Sequence, residues 1–349
     1  MQIVELKYKT FSFPLNEIIK TSGQKITGKK VILLKARNSI GNVTFAEISP
    51  LKNFSKETVE ECENILKKTI GDIIKFPVGL EELKIKAGTF QFFPSLKFAF
   101  EQLYLNFSLM QNQKSYMDLI KRNEIKINGM VSIKPLEETL REISVLIEKG
   151  CNVIKLKVGR KNFDEDLEII KRIIKTYGNK IKLRLDANGS WQCNDAINYL
   201  HELSELDIEY IEEPVETRDE LINLAAVSKI NLVPDESIET YKDAVEFIET
   251  GYFDFLVLKP AIRTGIFDTI KIIRLAEEKN INVIITSSFE TAIGRSALLY
   301  LASLTKHNYA HGLGVETLGK NILKNHFIPK NGTVHFNIKD LIQNFDLDF

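Results

Sequence analysis

The feature that most constrains this chain is a repeated pattern that extends from about residue 150 to residue 312. Six short runs rich in β-branched residues each end in a polar or charged cluster, and a helical pattern follows each run. The runs begin 22 to 29 residues apart, which fits one strand, one helix and two short loops. The six predicted strands are Asn152–Lys157, Ile181–Asp186, Ile208–Glu212, Ile230–Asp235, Phe253–Lys259 and Ile281–Ser287.

Helices with one apolar face are predicted before and between these strands, for example over Glu138–Glu148, Asp164–Lys175 and Ile266–Glu278. A strand at Glu124–Ile133 and a short last one near Tyr309–Gly312 bring the total to about eight strands that alternate with helices. This α/β alternation favours a TIM-type barrel. A doubly wound open sheet has the same repeat, so the count alone leaves both architectures open.

Residues 1–122 have a different pattern, which predicts an α+β module ahead of a barrel domain at residues 123–319. Residues 320–349 contain one predicted strand, Val334–Phe336, and no complete strand–helix unit. We expect this tail to pack back on the first module. The predicted elements of that module are strands at Ile3–Phe13, Val31–Ala36 and Asn42–Ile48, and helices at Lys56–Lys68 and Phe93–Leu109.

The composition excludes several classes of protein. The chain is 44% hydrophobic and has 47 basic and 47 acidic residues, so its balanced charge argues against nucleic acid as a partner. No apolar run approaches the ~20 residues that a membrane helix needs. The N-terminus lacks the apolar block of a signal peptide, and Cys62, Cys151 and Cys193 form no Cys-x-x-Cys pair. These features predict a cytoplasmic protein.

Charged residues stand at the C-terminal ends of five successive predicted strands. They are Lys157, Asp186, Glu212, Asp235 and Lys259. In a parallel barrel these strand ends gather at one mouth, where barrel enzymes carry their sites. Buried carboxylates cost several kcal/mol each and repel one another unless they are paired or bind a cation. We therefore predict a site for Mg²⁺ or Mn²⁺, although each residue taken singly also fits a turn, a helix N-cap or a surface lysine.

The residues next to these five have predicted supporting positions. Lys155 lies two residues before Lys157, so both amines face the barrel interior, where a second ammonium lowers the pKa of a lysine base. By the same spacing Arg184 is expected to orient Asp186, and Asn188 to donate a hydrogen bond to a metal ligand. Two further acids follow the predicted ligands and should face outward in supporting roles, namely Glu213 and Glu236.

Taken together, these residues resemble the enolase superfamily. The matching segments are Lys155-Leu-Lys157, Asp186-Ala-Asn188, Ile211-Glu-Glu-Pro214, Asp235-Glu-Ser237 and Lys259-Pro260. The lysines on both flanks resemble the muconate-lactonising-enzyme-like branch. Within that branch the chain is most similar to the o-succinylbenzoate synthase family, through Ala46–Leu51, Phe54–Thr58, Thr217–Asp219 and Ser287–Glu290.

The resemblance implies a (β/α)7β barrel and an α+β capping domain built from the N-terminal segment and the C-terminal tail. It also implies that Asp186, Glu212 and Asp235 bind Mg²⁺, and that the partner is a small carboxylate substrate. The implied reaction is the syn-dehydration of 2-succinyl-6-hydroxy-2,4-cyclohexadiene-1-carboxylate to 2-succinylbenzoate, in menaquinone biosynthesis.

In that reaction Lys157 would remove the proton α to the carboxylate, and Lys259 would stabilise the resulting enediolate; the reverse assignment of the two lysines stays open. Ser287 and Ser288 would contact the substrate, and a capping loop at Pro50–Ser55 would close over it.

Other activities are open at this point. An N-acylamino acid racemase or a dipeptide epimerase uses two lysines in the same way, although no Asp-x-Asp follows the seventh strand to bind a free ammonium group. A lyase that forms a Schiff base on Lys259 needs no metal. A binding protein without catalysis does not explain the complete set of charged residues.

Overall fold

The structure, a computed structural model, describes residues 2–21, 24–314, 327–342 and 345. Its N-terminal module is an antiparallel sheet in the order β1-β2-β3, with four helices. The strands and helices are β1 (Ile3–Thr21), β2 (Gln24–Asn38), β3 (Val43–Ile48), α1 (Val59–Lys75), α2 (Leu80–Gly88), α3 (Pro94–Met110) and α4 (Lys114–Met117).

Local sequence signals explain where the helices of this module begin. The Thr58 side chain accepts a hydrogen bond from the Glu61 N–H, and the Glu61 side chain accepts one from Thr58, so this capping box starts α1. Pro94 stands in the first turn of α3, where a missing N–H costs nothing. Alternate residues of β2 and β3 bury one face of the sheet against α3.

The predicted repeat forms a parallel barrel. One sheet has the order β5-β6-β7-β8-β9, and β10 pairs in parallel with β11. The barrel region contains β4 (Glu124–Lys126), β5 (Gly129–Val131), β6 (Val153–Lys157), β7 (Lys182–Asp186), β8 (Ile208–Glu212), β9 (Leu232–Val233), β10 (Phe255–Leu258) and β11 (Asn282–Ile285).

Backbone hydrogen bonds and isolated bridges close the ring between these sheets. The Val257 N–H donates to the Pro234 carbonyl oxygen and joins β10 to β9. The predicted eighth strand is reduced to two bridges, from Gly312 to Thr286 and from His311 to Ile127. The predicted (β/α)7β fold is thus confirmed, and the architecture is the favoured barrel and not a doubly wound open sheet.

Seven helices cover this barrel in the described residues. Four of these helices begin at a side-chain cap; at one of them Asn162 accepts from the Asp164 N–H, and acidic residues fill the first turn of the helix that follows. No helix in the described ranges is long and apolar enough to cross a bilayer. The helices are α5 (Leu136–Glu148), α6 (Phe163–Tyr177), α7 (Cys193–Leu203), α8 (Arg218–Ala225), α9 (Tyr241–Thr250), α10 (Gly265–Glu278) and α11 (Ala292–Ser303).

The predicted strand Glu124–Ile133 is split into β4 and β5, because Ile127 and Asn128 donate their N–H groups to Gly332 and His311 instead. The tail contributes β12 (Thr333–His335), which pairs with β4, and α12 (Ile338–Leu341), which packs on α11. In the tail residues that the structure describes, the ring of Phe345 contacts Phe45 of the N-terminal sheet. The rest of the tail lies outside the described residues, and the domain boundaries stay a prediction.

Candidate active site

The carboxylates of Asp186, Glu212 and Asp235 converge at the C-terminal ends of β7, β8 and β9. One ligand oxygen from each residue lies within 4.8 Å of those of the other two, and all three side chains are buried. The strand register explains the convergence, because Asp186 pairs with Glu212 and Glu212 pairs with Val233, two residues before Asp235. We call these three residues the acidic triad.

Lys155 lies between two members of the triad. Its Nζ is 2.8 Å from Asp186 Oδ2 and 2.8 Å from Glu212 Oε2. Burial alone would lower the pKa of Lys155, but Asp186 and Glu212 outweigh it and raise this pKa well above its usual value. Burial raises the pKa of Glu212, whereas Lys155 and Lys157 overcome burial at Asp186 and hold its pKa well below the usual range. Lys155 is therefore a fixed cation that offsets part of the acidic charge.

Lys157 ends β6 at one side of the triad. Its amine lies 2.6 Å from Asp186 Oδ2 and 2.5 Å from Asn188 Oδ1. The Asn188 backbone N–H donates to Asp186 Oδ1 at 3.2 Å, and its side-chain amide donates to Glu236 Oε1 at 3.1 Å. Asn188 therefore contacts a triad carboxylate, the Lys157 amine and Glu236 at the same time.

Lys259 follows β10 at the other side of the triad. Its amine lies 2.5 Å from Asp235 Oδ2 and 2.6 Å from Glu236 Oε1. The prediction that Glu236 faces outward is therefore wrong. The chain leaves the two-residue strand β9 at Val233 and turns, so strand alternation no longer decides side-chain direction at Glu236.

Glu213 was also predicted to face outward, and that prediction is wrong as well. Its side chain is buried, and the carboxylate accepts hydrogen bonds from the Asp235 N–H at 2.7 Å and from the Ser237 hydroxyl. Glu213 has a left-handed φ of 38°, so extended geometry ends at Glu212 and the side chain turns into the protein. Burial, followed by repulsion from Glu236, raises the pKa of Glu213 to about 7. The supporting role expected for Glu213 agrees with its contact to the Asp235 N–H, but the side chain makes this contact from the protein interior.

Arg184 does not orient Asp186, and this prediction is wrong. The two residues share a face of β7, but Arg184 lies one layer deeper, about 6.6 Å along the strand. Its guanidinium donates to Glu209 at 2.6 Å and to the Ala310 carbonyl oxygen at 2.7 Å, and it stacks on the ring of Tyr210. Arg184 therefore joins β7 to the closing segment of the barrel.

The loop that follows β11 carries Ser287 and Ser288. The Ser287 hydroxyl donates to Glu290 Oε2 at 2.5 Å, and the Ser288 N–H donates to Glu290 Oε1 at 2.8 Å. Leu258 pairs with Ile285, so this loop leaves the barrel at the level of Lys259. The two serines thus lie at the same end of the barrel as the acidic triad.

The residues of the triad fit a hard divalent cation. All three donors are carboxylates, the ligands that Mg²⁺ prefers. Asp235 Oδ1 is buried and has no hydrogen-bond partner in the part of the chain that is described. Burial and repulsion from Glu236 raise the pKa of Asp235 to about 8. A nearby cation would satisfy this oxygen and stabilise the charged carboxylate.

Fold and site together define a (β/α)7β-barrel protein with a buried acidic triad between two lysines. The profile of a family described as enolase C-terminal domain-like matches residues 138–339, more than half of the chain. The chain belongs to this family. The predicted membership of the enolase superfamily, in its muconate-lactonising-enzyme-like branch, is confirmed.

Epimerases and o-succinylbenzoate synthases are both among the curated relatives. The chain is 25% identical to the L-Ala-D/L-Glu epimerase of Bacillus subtilis (strain 168), over 87% of this chain and 85% of the epimerase. It is 28% identical to the o-succinylbenzoate synthase of Thermobifida fusca (strain YX), over 61% of this chain and 67% of that enzyme. A dipeptide epimerase from Enterococcus faecalis V583, complexed with Mg and the dipeptide L-Leu-L-Tyr, superposes with a TM-score of 0.86 at 22% identity, covering 97% of this chain and 98% of that chain.

Proposed function

We propose that this chain is an o-succinylbenzoate synthase, which dehydrates 2-succinyl-6-hydroxy-2,4-cyclohexadiene-1-carboxylate to 2-succinylbenzoate in menaquinone biosynthesis. The observation that carries the proposal is the position of Lys157 and Lys259, whose amines contact the same acidic triad from two sides. Abstraction of a proton α to a carboxylate needs a base at the carbon and positive charge at the carboxylate oxygens. Lys157 as the base, and Lys259 with a cation on the acidic triad, would meet both requirements at this mouth of the barrel.

Asp186, Glu212 and Asp235 would hold Mg²⁺, as their carboxylate donors and the unpartnered Asp235 Oδ1 suit that ion. When bound, the ion supplies positive charge beside the substrate carboxylate, where charge develops as the proton leaves. The Mg complex of the Enterococcus faecalis relative supports this choice. Mn²⁺ takes the same oxygen ligands and is the alternative ion.

Lys157 and Lys259 have different roles in the proposed dehydration. Lys157, as a neutral amine, removes the proton from the carbon next to the carboxylate, and the electrons of the C–H bond move toward the carboxylate oxygens. The resulting Lys157 ammonium then gives the proton to the hydroxyl on the same face; the C–O bond breaks, water leaves and the ring becomes aromatic. Lys259 stays charged, held by Asp235 and Glu236, and stabilises the anion.

Residues around the lysines keep them in place. Asn188 accepts from the Lys157 amine, and Glu236 connects Asn188 to Lys259. Lys56, which directly follows the capping loop, forms an ion pair with Glu239 of the barrel at 2.5 Å. The capping loop therefore lies next to the barrel, where it can cover the substrate. A closed loop there would exclude water during proton transfer.

An epimerase or racemase is the second candidate, because two lysines on opposite sides of an α-carbon can exchange its proton. The wide match to the Bacillus subtilis epimerase favours it. The loop after β11 argues for the dehydratase, because its carboxylate, Glu290, is already bound by Ser287 and Ser288 and does not offer a counter-charge to a substrate ammonium.

The test compares both reactions on the purified protein with Mg²⁺. Aromatisation of the hydroxycyclohexadiene carboxylate is followed by ultraviolet absorbance, and α-proton exchange of L-Ala-L-Glu and of an N-succinylamino acid is followed by NMR in D₂O. We expect dehydration, and we expect Lys157→Ala and Lys259→Ala to slow it by orders of magnitude. Exchange without dehydration would establish the epimerase or racemase, and absence of both reactions would reject the proposal.

A further inference from the structure

We propose that Lys29 and Glu47, two buried residues of the N-terminal sheet, are positioning residues for the loop Thr286–Thr291, here called the mouth loop. The inference rests on the proposed function, because it takes the serines of the mouth loop to contact the substrate. Neither residue contacts the acidic triad or the two lysines beside it in the described structure. Both act across the contact between the N-terminal sheet and the barrel.

Glu47 of β3 fixes the end of the mouth loop. Its carboxylate accepts from the Thr291 N–H at 3.0 Å, from the Thr291 hydroxyl at 2.5 Å and from the Gly294 N–H at 2.9 Å. Thr291 is the N-cap of α11, so Glu47 accepts from the amide of the cap and from the third amide of the helix that follows the loop. A Cβ atom on Gly294 would lie 2.9 Å from Glu47 Oε2, so the glycine makes room for the carboxylate.

Lys29 of β2 fixes the middle of the mouth loop. Its amine donates to the carbonyl oxygen of Ser288 at 2.5 Å and to that of Phe289 at 3.4 Å. Phe289 has a φ of 64°, a left-handed conformation that a bulky residue rarely adopts. Such a conformation persists only where its surroundings hold it, and strained residues of this kind cluster at functional sites. The Lys29 amine supplies that restraint, and the nearby carboxylates of Glu290 and Glu47 balance its charge.

The contacts of Lys29 and Glu47 determine the position of Ser288. Its hydroxyl is buried and has no hydrogen-bond partner among the described residues, and a buried polar atom of this kind calls for one. Because Lys29 holds the Ser288 carbonyl and Glu47 holds the end of the loop, the position of this hydroxyl is set from the N-terminal sheet. We infer that the hydroxyl binds a polar atom of the substrate, so that a loosened loop weakens substrate binding more than the proton transfer.

Amide hydrogen exchange with mass spectrometry tests the positioning directly, on the Mg²⁺-loaded full chain. Glu47→Gln leaves one oxygen for three donors, and Lys29→Gln removes the ammonium. We expect exchange in residues 287–294 to become at least about tenfold faster in both variants. Lys29→Arg keeps a charged donor and should restore slow exchange. The matched control is Glu101→Gln, because Glu101 of α3 caps α10 in the same way, through the N–H groups of Ile266 and Phe267.

The kinetic readout separates positioning from general destabilisation. With the hydroxycyclohexadiene carboxylate, KM should rise about tenfold in Glu47→Gln and Lys29→Gln, while kcat changes less than about threefold. Mg²⁺ affinity should not change. Mouth-loop exchange as slow as in the wild type, or equally fast in Glu101→Gln, would overturn the inference. If Glu47→Gln does not fold, Lys29→Gln and Lys29→Arg decide it. A wild type without turnover would reject the proposed function, and the exchange data would still decide the positioning of the loop.

Discussion

The buried carboxyl group of Glu101 should make the stability of the protein depend on pH. This residue of α3 is almost fully buried between the N-terminal module and the barrel, and its Oε2 accepts from the Ile266 N–H at 2.5 Å and the Phe267 N–H at 3.2 Å. Gly265, at φ 75°, makes room for it. Burial is the dominant cause that raises the pKa of Glu101 to about 7, against the attraction of Lys97.

The direction and size of the change in the free energy of unfolding with pH follow from the linkage between protonation and folding. Folded Glu101 holds its proton more tightly than the unfolded chain, so its contribution to stability is complete below pH 4.5 and is lost as the pH rises through about 7. A rise in pKa from 4.5 to about 7 corresponds to about 3 kcal/mol, since each pH unit is worth about 1.4 kcal/mol. Between pH 5 and pH 8 the loss is about 2.5 kcal/mol.

Glu101→Gln removes this titration, because the amide stays neutral while its oxygen can still accept a hydrogen bond. The free energy of unfolding of wild type and variant is measured by urea denaturation from pH 5 to pH 8, with Glu137→Gln as the control for loss of one exposed carboxylate. We expect the free energy of unfolding of the variant, minus that of the wild type, to rise by about 2.5 kcal/mol from pH 5 to pH 8. A difference that is the same at pH 5 and pH 8 would refute the reasoning.

Three further predictions concern the acidic triad and its lysines. A chelator should abolish turnover and Mg²⁺ should restore it, whereas turnover that survives EDTA, with borohydride trapping at Lys259, would indicate a metal-free Schiff base. Asp235→Asn should weaken Mg²⁺ binding in calorimetry by more than about tenfold, and an unchanged affinity would remove Asp235 from the ligand set. Lys157→Ala should lower kcat by about 10²- to 10⁴-fold with an unchanged circular dichroism spectrum, and retained activity would exclude Lys157 as the base.

The part of the fold that sequence predicts is the part governed by local periodicity. Each strand of the barrel is a short apolar run and each helix has one apolar face, so β8 begins and ends where the pattern places it. The register of parallel strands then brings their last residues to one level, which is why spacing alone assembles Asp186, Glu212 and Asp235. The closing segment of the barrel has only two bridges and leaves a weaker pattern.

The errors arise where strand geometry stops. Glu213 and Glu236 stand just beyond the last ladder pairs, and their side-chain directions depend on a left-handed φ and on a turn rather than on alternation. Arg184 shows a different limit, because periodicity gives the face of a strand but not the layer in which a side chain finds its partner. The contacts of Lys29, Glu47 and Glu101 join residues that are 165 to 260 positions apart, and only the folded chain brings these together.

Glu47 and Glu101, two buried glutamates of the N-terminal module, make the same kind of contact. Each caps a barrel helix from outside the barrel, and each stands opposite a glycine that admits its carboxylate, Glu101 at Gly265 and Glu47 at Gly294. The loop before α10 begins with Lys259, and the loop before α11 is the mouth loop, which carries the two serines. The triad, in contrast, is built on β7, β8 and β9, which carry neither contact. The contacts of Glu47 and Glu101 therefore support the loops that carry Lys259 and the two serines, whereas the strands that carry the triad are held by the register of the barrel itself.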